Sequence, residues 1–386
     1  MRYVIIGNGV AGVEAALAIR KADADGTITI ITKSPNLHYY RPRLIEFLSG
    51  EVSLDKMTTY KDDAYEKKGI ANLLGTRITA IRPDERSAID ANGRAHEYDR
   101  LLIATGGRPF VPPIAGADLP GVFTFRGVRD AERIRDYAAG VRDVAVIGGG
   151  LLGLETAHSL ARMGKRPTVV EFCEWLMPRQ LDRDGGGILR RILEEKGVRF
   201  VLGESVASIE GGGRAERIVM QSGATVDAGL IVISAGIRSD LDLAREVGIA
   251  TDKGIIVDDT MRTSAEGIYA AGDVAQHKDC VYGIWPAARE QGIAAGAAMA
   301  GQPVAYRGTV MSSSLKITGV DLYSAGDINR DDCDAIVSSG GSSYKKLLMK
   351  DRKATGAIVL GDAAALKIAQ RVIAGTADPE EFKKLF

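Results

Sequence analysis

Residues 148–157 read GGGLLGLETA and residues 7–16 read GNGVAGVEAA. Each is a Gly-x-Gly-x-x-Gly turn running into an apolar helix, and the reading of this pair decides the fold. With 46 glycines in 386 residues, chance supplies roughly 0.6 such spacings per chain, so one match is weak and context must carry the inference. The context is the same in both places. YVII (3–6) is a short strand-like run, helical spacing covers 10–21, and TITIIT (27–32) is a second strand. VAVI (144–147), a helix over about 151–163 and PTVVEF (167–172) repeat that unit about 140 residues later.

The spacing has a physical reason. The first glycine (Gly7, Gly148) makes the tight turn and the second (Gly9, Gly150) lets main chain approach a pyrophosphate. The third (Gly12, Gly153) lets helix pack closely on strand, with phosphate at the helix N-terminus. The units differ at the end of their second strand. Glu171 lies 23 residues after Gly148, where a carboxylate accepts ribose hydroxyls and repels a 2′-phosphate, which favours NADH over NADPH. Lys165 and Arg166 nearby dilute that charge argument. The first unit has Thr32 and Lys33 at this place and no acid, so its ribose contact differs.

The remaining composition narrows the class. A length of 386 residues suggests two or three domains. Equal counts of Lys+Arg and Asp+Glu, 50 each, argue against a nucleic-acid partner. The N-terminal MRYVIIGNGV reads as a first strand rather than a signal peptide, and no apolar run approaches the ~20 residues that span a bilayer, so a cytoplasmic protein with no membrane partner is expected. Cys173, Cys280 and Cys333 are too few and too scattered for a disulfide framework, a zinc site or an iron–sulfur site, and the four histidines show no ligand spacing. No metal is expected, and any redox cofactor is organic.

Between the units, 73–103 alternates short strands with polar turns, and ATGGRPFVPPIAG (104–116) reads as a domain crossing. ISAGIRSD (233–240) is a second crossing. A Gly-Asp turn (272–273) and an Ala-rich helix (287–300) follow. From about residue 306 a tail alternates strands, in SLKITGVDLYSAGDI and YKKLLMKDRKATGAIVLGD, and ends in a helix at 363–374.

These residues resemble the FAD-dependent pyridine nucleotide–disulfide oxidoreductases. The resemblance covers nearly the whole chain and is carried by GNGVAG (7–12), LLIATGGRP (101–109), GGGLLG with Glu155 (148–155) and TSAEGIYAAGD (263–273), four motifs in the family's order. It implies an α/β fold with two Rossmann-like dinucleotide-binding domains, glutathione-reductase-like, plus a small α+β C-terminal domain. The FAD-binding domain would comprise 1–107 and 237–305, the NAD(H)-binding domain 108–236 and the C-terminal domain 306–386.

The resemblance also implies site residues. FAD would be held by Gly7, Gly9, Ala11, Gly12, Thr32, Lys33, Arg41, Pro42, Ile78, Thr105, Gly106, Gly272, Asp273 and Trp285, with Asp273 on the ribityl chain. NAD(H) would be held by Gly148, Gly150, Leu151, Leu152, Gly153, Glu155, Glu171 and Gly236. Glu155, positioning the nicotinamide, and Arg41, against the flavin, are the catalytic candidates. Pro286 suits the first turn of the helix after YGIWP, whose dipole would stabilise negative charge on a reduced flavin, and Tyr282 and Trp285 stand beside it.

The departure lies in LHYYRPRLIEFLSG (37–50), which holds no cysteine. Disulfide reductases, NADH peroxidases and coenzyme A disulfide reductases carry their reactive cysteine in this stretch, so no thiol relay is expected. YYRPRLIEFL and the tail look instead like the branch of NADH:rubredoxin oxidoreductases, ferredoxin reductases and the flavin part of nitrite reductases. Arg41 and Pro42 match its pair against the flavin. Some ferredoxin reductases place a Lys five residues after that Arg, to pair with the glutamate matching Glu155. Here Glu46 stands there, leaving Arg43 as the nearby cation. The cysteine-rich and sirohaem portions of a nitrite reductase are absent from this sequence.

The expected function is FAD-dependent oxidoreduction between NADH and a one-electron iron–sulfur carrier, rubredoxin- or ferredoxin-like, by hydride transfer to the flavin and single-electron exit. One alternative is the FAD/NAD(H) subunit of a larger iron–sulfur or metal-containing oxidoreductase, in which electrons can also run toward NAD⁺ reduction. Another is an NADH oxidase, and a third a flavin-stabilised regulatory module. Lys345, Lys346, Lys350, Arg352 and Lys353 form a candidate docking cluster for an acidic carrier, or a solvated hairpin.

Overall fold

A computed structural model describes residues 1–330 and 332–386, without the side chain of Asp62. The chain forms two compact units. One comprises Met1–Arg41, Ser53–Arg108 and Ile237–Thr309, the other Pro42–Val52, Pro109–Gly236 and Val310–Phe386.

The first unit is built on a five-stranded parallel sheet in the order Ile268–Ala270, Arg100–Ile103, Arg2–Ile6, Thr27–Ile31, Ile70–Leu73. The sheet is packed on both faces, with Ile78, Ile81 and Ala88 of an antiparallel sheet sharing its core; Ile5, Ile30, Leu101, Leu102 and Ile103 are fully buried. The helices Val10–Ala22 and Trp285–Met299 approach closely along small residues. A Cβ at Gly292 would lie 2.3 Å from the Ala11 carbonyl oxygen, and one at Gly296 2.3 Å from that of Ala15. Two residue pairs, each four apart, therefore set the crossing. The predicted strands within 73–103 include an antiparallel sheet of Ile78–Arg82, Ser87–Asp90 and Ala95–Glu97.

The second unit repeats the architecture with the parallel order Arg199–Leu202, Arg166–Glu171, Asp143–Ile147, Leu230–Ile233, Val122–Thr124. The same unit contains the tail, a five-stranded antiparallel sheet in the order Ser312–Ser314, Leu322–Gly326, Lys353–Leu360, Ser343–Lys350, Asp334–Gly340. Helices Ala363–Ile373 and Pro379–Lys383 bury Ala365, Ala369, Val372 and Phe382 against it. The run SLKITGVDLYSAGDI is not one strand. Residues 315–321 connect two, with Leu315, Ile317 and Val320 turned inward and buried.

Residues 42–52 also belong to this second unit. Their helix Leu44–Leu48 is fixed by the Ser159 hydroxyl, which donates to the Ile45 carbonyl at 3.0 Å, and by the Arg135 guanidinium 5.2 Å over the Phe47 ring. Among the described residues no helix is long and apolar enough to cross a membrane.

Candidate functional site

The two glycine turns match position by position. Gly7 has φ +115°, its N–H donates to the Ile31 carbonyl at 2.8 Å, and an added Cβ would lie 2.3 Å from the Ala104 oxygen. Gly148 has φ +118°, donates to Val170 at 2.8 Å, and its Cβ would lie 2.4 Å from the Ser234 oxygen. At Gly12 and Gly153 a Cβ would fall 2.0 Å from the carbonyl of the first glycine. At Gly9 and Gly150, by contrast, it would meet nothing within 4 Å. The outer glycines hold helix to strand, and the middle one leaves open main chain where a pyrophosphate approaches.

Helix capping separates these helices from the rest. Among the described residues, six helices have eight or more residues. Val128–Ala138, Arg183–Glu195 and Ala363–Ile373 are closed by Asp130, Asp182 and Asp362, whose carboxylates accept first-turn or flanking N–H groups. Val10–Ala22, Leu151–Arg162 and Trp285–Met299 have neither a capping side chain nor an acid in the first turn. Their N–H groups and positive dipole ends are left for another anion. These are the two glycine-turn helices and the helix at Pro286.

Around the first cradle, Gly272 (φ +82°) packs against Ala11, and its N–H donates to Gln291 Oε1 at 2.9 Å. Gln291 is 1% exposed, and the buried Nε1 of Trp285 has no partner. An orphaned donor on the uncapped helix is what a bound polar group would satisfy, so this unit fits FAD. Trp285 stacks edge-on against Tyr40 at 5.3 Å, and Tyr282 lies against Tyr306 at 6.1 Å. Asp273 accepts the Ser239 hydroxyl on its main-chain oxygen at 2.8 Å, and the Thr105 hydroxyl donates to the Asp240 carbonyl at 3.3 Å, next to Gly106 (φ +72°).

Other predicted residues are placed less directly. Thr32 is buried, with its hydroxyl accepting the Ser34 N–H at 3.2 Å, while the exposed Lys33 lies 3.7 Å from Asp240. Ile78 is buried in the core at the start of its strand. Arg41 is exposed in the short turn Arg41–Arg43, and Pro42 is half-buried. Sequence reasoning missed His38. Its Nδ1 donates to the Asn8 carbonyl at 3.1 Å, and burial pushes its pKa down to about 4, which keeps it neutral. Gln291 had a signal, a lone amide in an alanine-rich helix.

In the second cradle, Glu171 is fixed by main chain: its Oε2 accepts Gly149 N–H at 2.5 Å and its Oε1 accepts Cys173 N–H at 2.9 Å. Arg166 is at the other end of the strand, roughly 17 Å away at 3.3 Å per residue, paired with Asp143 at 2.5 Å. It does not neutralise Glu171. Leu151 and Leu152 form the half-buried first turn, and the Gly236 carbonyl accepts Phe110 N–H at 2.9 Å. Glu155 is 6% exposed, and burial raises its pKa to about 7 against one main-chain N–H donated by Lys316 at 2.6 Å. Arg43 does not serve Glu155; it binds Glu46 at 2.6 and 2.9 Å.

The lysine cluster is divided by the fold. Lys345 (13% exposed) binds Asp362 and the Leu385 carbonyl, Lys346 (15% exposed) binds Asp182 at 2.9 Å, and Lys350 binds Asp332 at 2.5 Å. Lys345 and Lys346 are thus committed to the capping carboxylates of two helices, while Lys350, Arg352 and Lys353 at the hairpin turn are exposed. The three cysteines are free, burial raises the pKa of Cys280, and no metal-holding group occurs among the described residues.

Two parallel nucleotide sheets, each with a glycine turn feeding an uncapped helix, define a two-dinucleotide α/β protein. The chain belongs to the pyridine nucleotide-disulphide oxidoreductase family, whose pattern matches residues 1–292; that of the rubredoxin NAD⁺ reductase C-terminal domain matches 312–376. Membership brings the family's cofactors, FAD and NAD(H). The chain is 38% identical over 366 residues to the assimilatory nitrate reductase electron transfer subunit of Bacillus subtilis, covering 94% of this chain but only 48% of that one. It is 30% identical over 365 residues to the NADH-rubredoxin oxidoreductase of Clostridium acetobutylicum, covering 94% and 92%. A NAD-dependent persulfide reductase from A. fulgidus superimposes with a TM-score of 0.91 at 27% identity, covering 100% of this chain and 79% of that one.

Proposed function

We propose that the chain is a FAD-dependent NADH oxidoreductase that passes electrons between NADH and a one-electron iron–sulfur protein of rubredoxin or ferredoxin type. The carrying observation is the pair of uncapped glycine-turn helices in a chain whose 37–50 stretch has no cysteine. FAD, when bound, supplies the conversion between a two-electron donor and a one-electron acceptor. The protein's part is to bind, orient and tune.

In this reading, 1–107 and 237–305 hold FAD, 108–236 holds NAD(H), and 306–386 forms the C-terminal domain. The first-turn N–H groups after Gly9 and Gly150 take the two pyrophosphates. Lys33 and Ile78 serve the adenosine half of FAD, and Thr32 shapes its strand end. Asp273 and Gly272 serve the ribityl chain, and Arg41, Thr105, Gly106 and Trp285 surround the flavin ring. Glu171, its oxygens aimed by two main-chain donors, selects the unphosphorylated ribose, and Glu155 orients the nicotinamide beside Leu151, Leu152 and Gly236. Three unpaired cysteines suit a reducing compartment, so we place the protein in the cytoplasm.

A second reading has specific support. The nitrate reductase subunit is about twice as long as the match, and its name is that of an electron transfer subunit. The chain would then serve an iron–sulfur or other metal-containing partner within a larger oxidoreductase.

Anaerobic stopped-flow mixing with NADH, then with oxidised rubredoxin or ferredoxin, tests both. Rapid loss and rapid recovery of flavin absorbance supports the carrier reductase. Bleaching that persists with carriers but recovers with a metal–sulfur subunit supports the second reading, and recovery with oxygen alone would make it an oxidase. No bleaching by NADH or NADPH sinks the enzyme proposal.

A further inference from the structure

One contact in the second unit is not accounted for by its glycine motif. Glu155 lies on helix Leu151–Arg162, and its Oε1 accepts the main-chain N–H of Lys316, 161 residues away, at 2.6 Å. Lys316 stands in the connection between strands Ser312–Ser314 and Leu322–Gly326. That connection is anchored rather than loose. Leu315, Ile317 and Val320 are buried, Val320 N–H donates to Ile317 at 3.0 Å, and Lys196 Nζ donates to the Thr318 carbonyl at 3.0 Å.

The surrounding charges leave Lys316 as the cation acting on Glu155. Helix Leu44–Leu48 brings Glu46, which is bound to Arg43. The strands under the helix carry Asp143 and Arg166, paired at one end, and Glu171 at the other, bound by main chain. On the helix itself His158 follows one turn later, and burial holds its pKa down. Removing a carboxylate from water is costly unless donors and a cation compensate it. Here one residue supplies both.

We infer that Lys316 is a positioning residue for Glu155, its main-chain N–H fixing the carboxyl group and its ammonium favouring the ionised form, so that the C-terminal segment completes the nicotinamide pocket. This rests on the reading of Glu155 as the nicotinamide-orienting group. A residue of the tail's 315–321 connection then does what a lysine in the 37–50 stretch cannot do here, because Glu46 occupies its place.

The test uses the FAD-loaded full chain and anaerobic flavin bleaching at varied NADH concentration and pH. The wild type should show an inflection near pH 7, and Glu155→Gln should abolish it. Lys316→Ala keeps the N–H but removes the cation, so the inflection should move to higher pH. Lys316→Pro removes the N–H; with FAD content intact, it should also weaken NADH binding on the order of tenfold, the size of a lost hydrogen bond to a charged group. Should the proline variant fail to fold, the shift in Lys316→Ala decides. An unmoved inflection in Lys316→Ala, or wild-type NADH affinity in a folded Lys316→Pro, overturns the inference. If Glu155→Gln keeps the wild-type profile, the assignment of Glu155 itself fails, and the inference with it.

Discussion

The main-chain N–H of Gly149 donates to Glu171 Oε2 at 2.5 Å, so the second residue of the glycine turn aims the acid at the end of the neighbouring strand. Turn and acid are one device: the turn that admits a pyrophosphate also fixes the carboxylate that reads the ribose.

Glu171→Gln should therefore relax the choice between dinucleotides. Removing the charge abolishes repulsion of a 2′-phosphate, and like-charge contact costs several kcal/mol. The ratio of kcat/KM for NADH over NADPH is expected to fall at least about tenfold, with FAD content unchanged. Steady-state kinetics with both nucleotides checks it, and an unchanged ratio would remove Glu171 from specificity.

The glycines of each turn should separate by role. Gly12→Ala places a Cβ 2.0 Å from the Gly7 carbonyl, a main-chain clash that should abolish folding of the first unit or its FAD binding. Gly150→Ala meets nothing within 4 Å, so stability should stay within about 1 kcal/mol, the scale of a helix-cap change. FAD content should remain full while NADH affinity falls. Thermal unfolding, flavin absorbance and NADH titration together distinguish these outcomes.

Burial of Glu155 makes stability depend on pH. Its pKa is about 7 folded against an ordinary 4.5, so the folded state binds the proton more tightly. The benefit is complete below pH 4.5 and is lost as pH rises toward 7, by on the order of 3 kcal/mol. Glu155→Gln should gain stability relative to wild type across that window and hold the gain above it. Urea unfolding of both proteins at pH 4.5, 6 and 8 measures the difference, which should stay flat if the carboxyl is not buried in solution.

Lys346 should matter for stability rather than for docking. Asp182 accepts its Nζ at 2.9 Å and the Tyr344 hydroxyl at 2.7 Å, and caps Arg183–Glu195 through Gly185 N–H at 3.1 Å. Lys346→Ala leaves that carboxylate short of a donor, at a cost of about 1–3 kcal/mol. Carrier reduction at low salt should stay within about twofold of wild type. A large, salt-dependent loss of carrier rate in a stable variant would restore the docking role.

Local pattern was enough for much of this protein. The repeated strand, glycine turn and helix, with Glu171 after the second copy, specified two nucleotide sheets because turn sterics and strand period act over a few residues. The missing cysteine in 37–50 likewise reads directly from sequence. Tertiary structure decided which charges are available. Lys345, Lys346 and Lys350 look like a basic patch in the chain, but they face Asp362, Asp182 and Asp332 in the fold. Glu155 acquires its donor from Lys316, 161 residues later. Ion pairing and desolvation depend on distances that chain order does not encode, so these roles became visible only when the sheets packed.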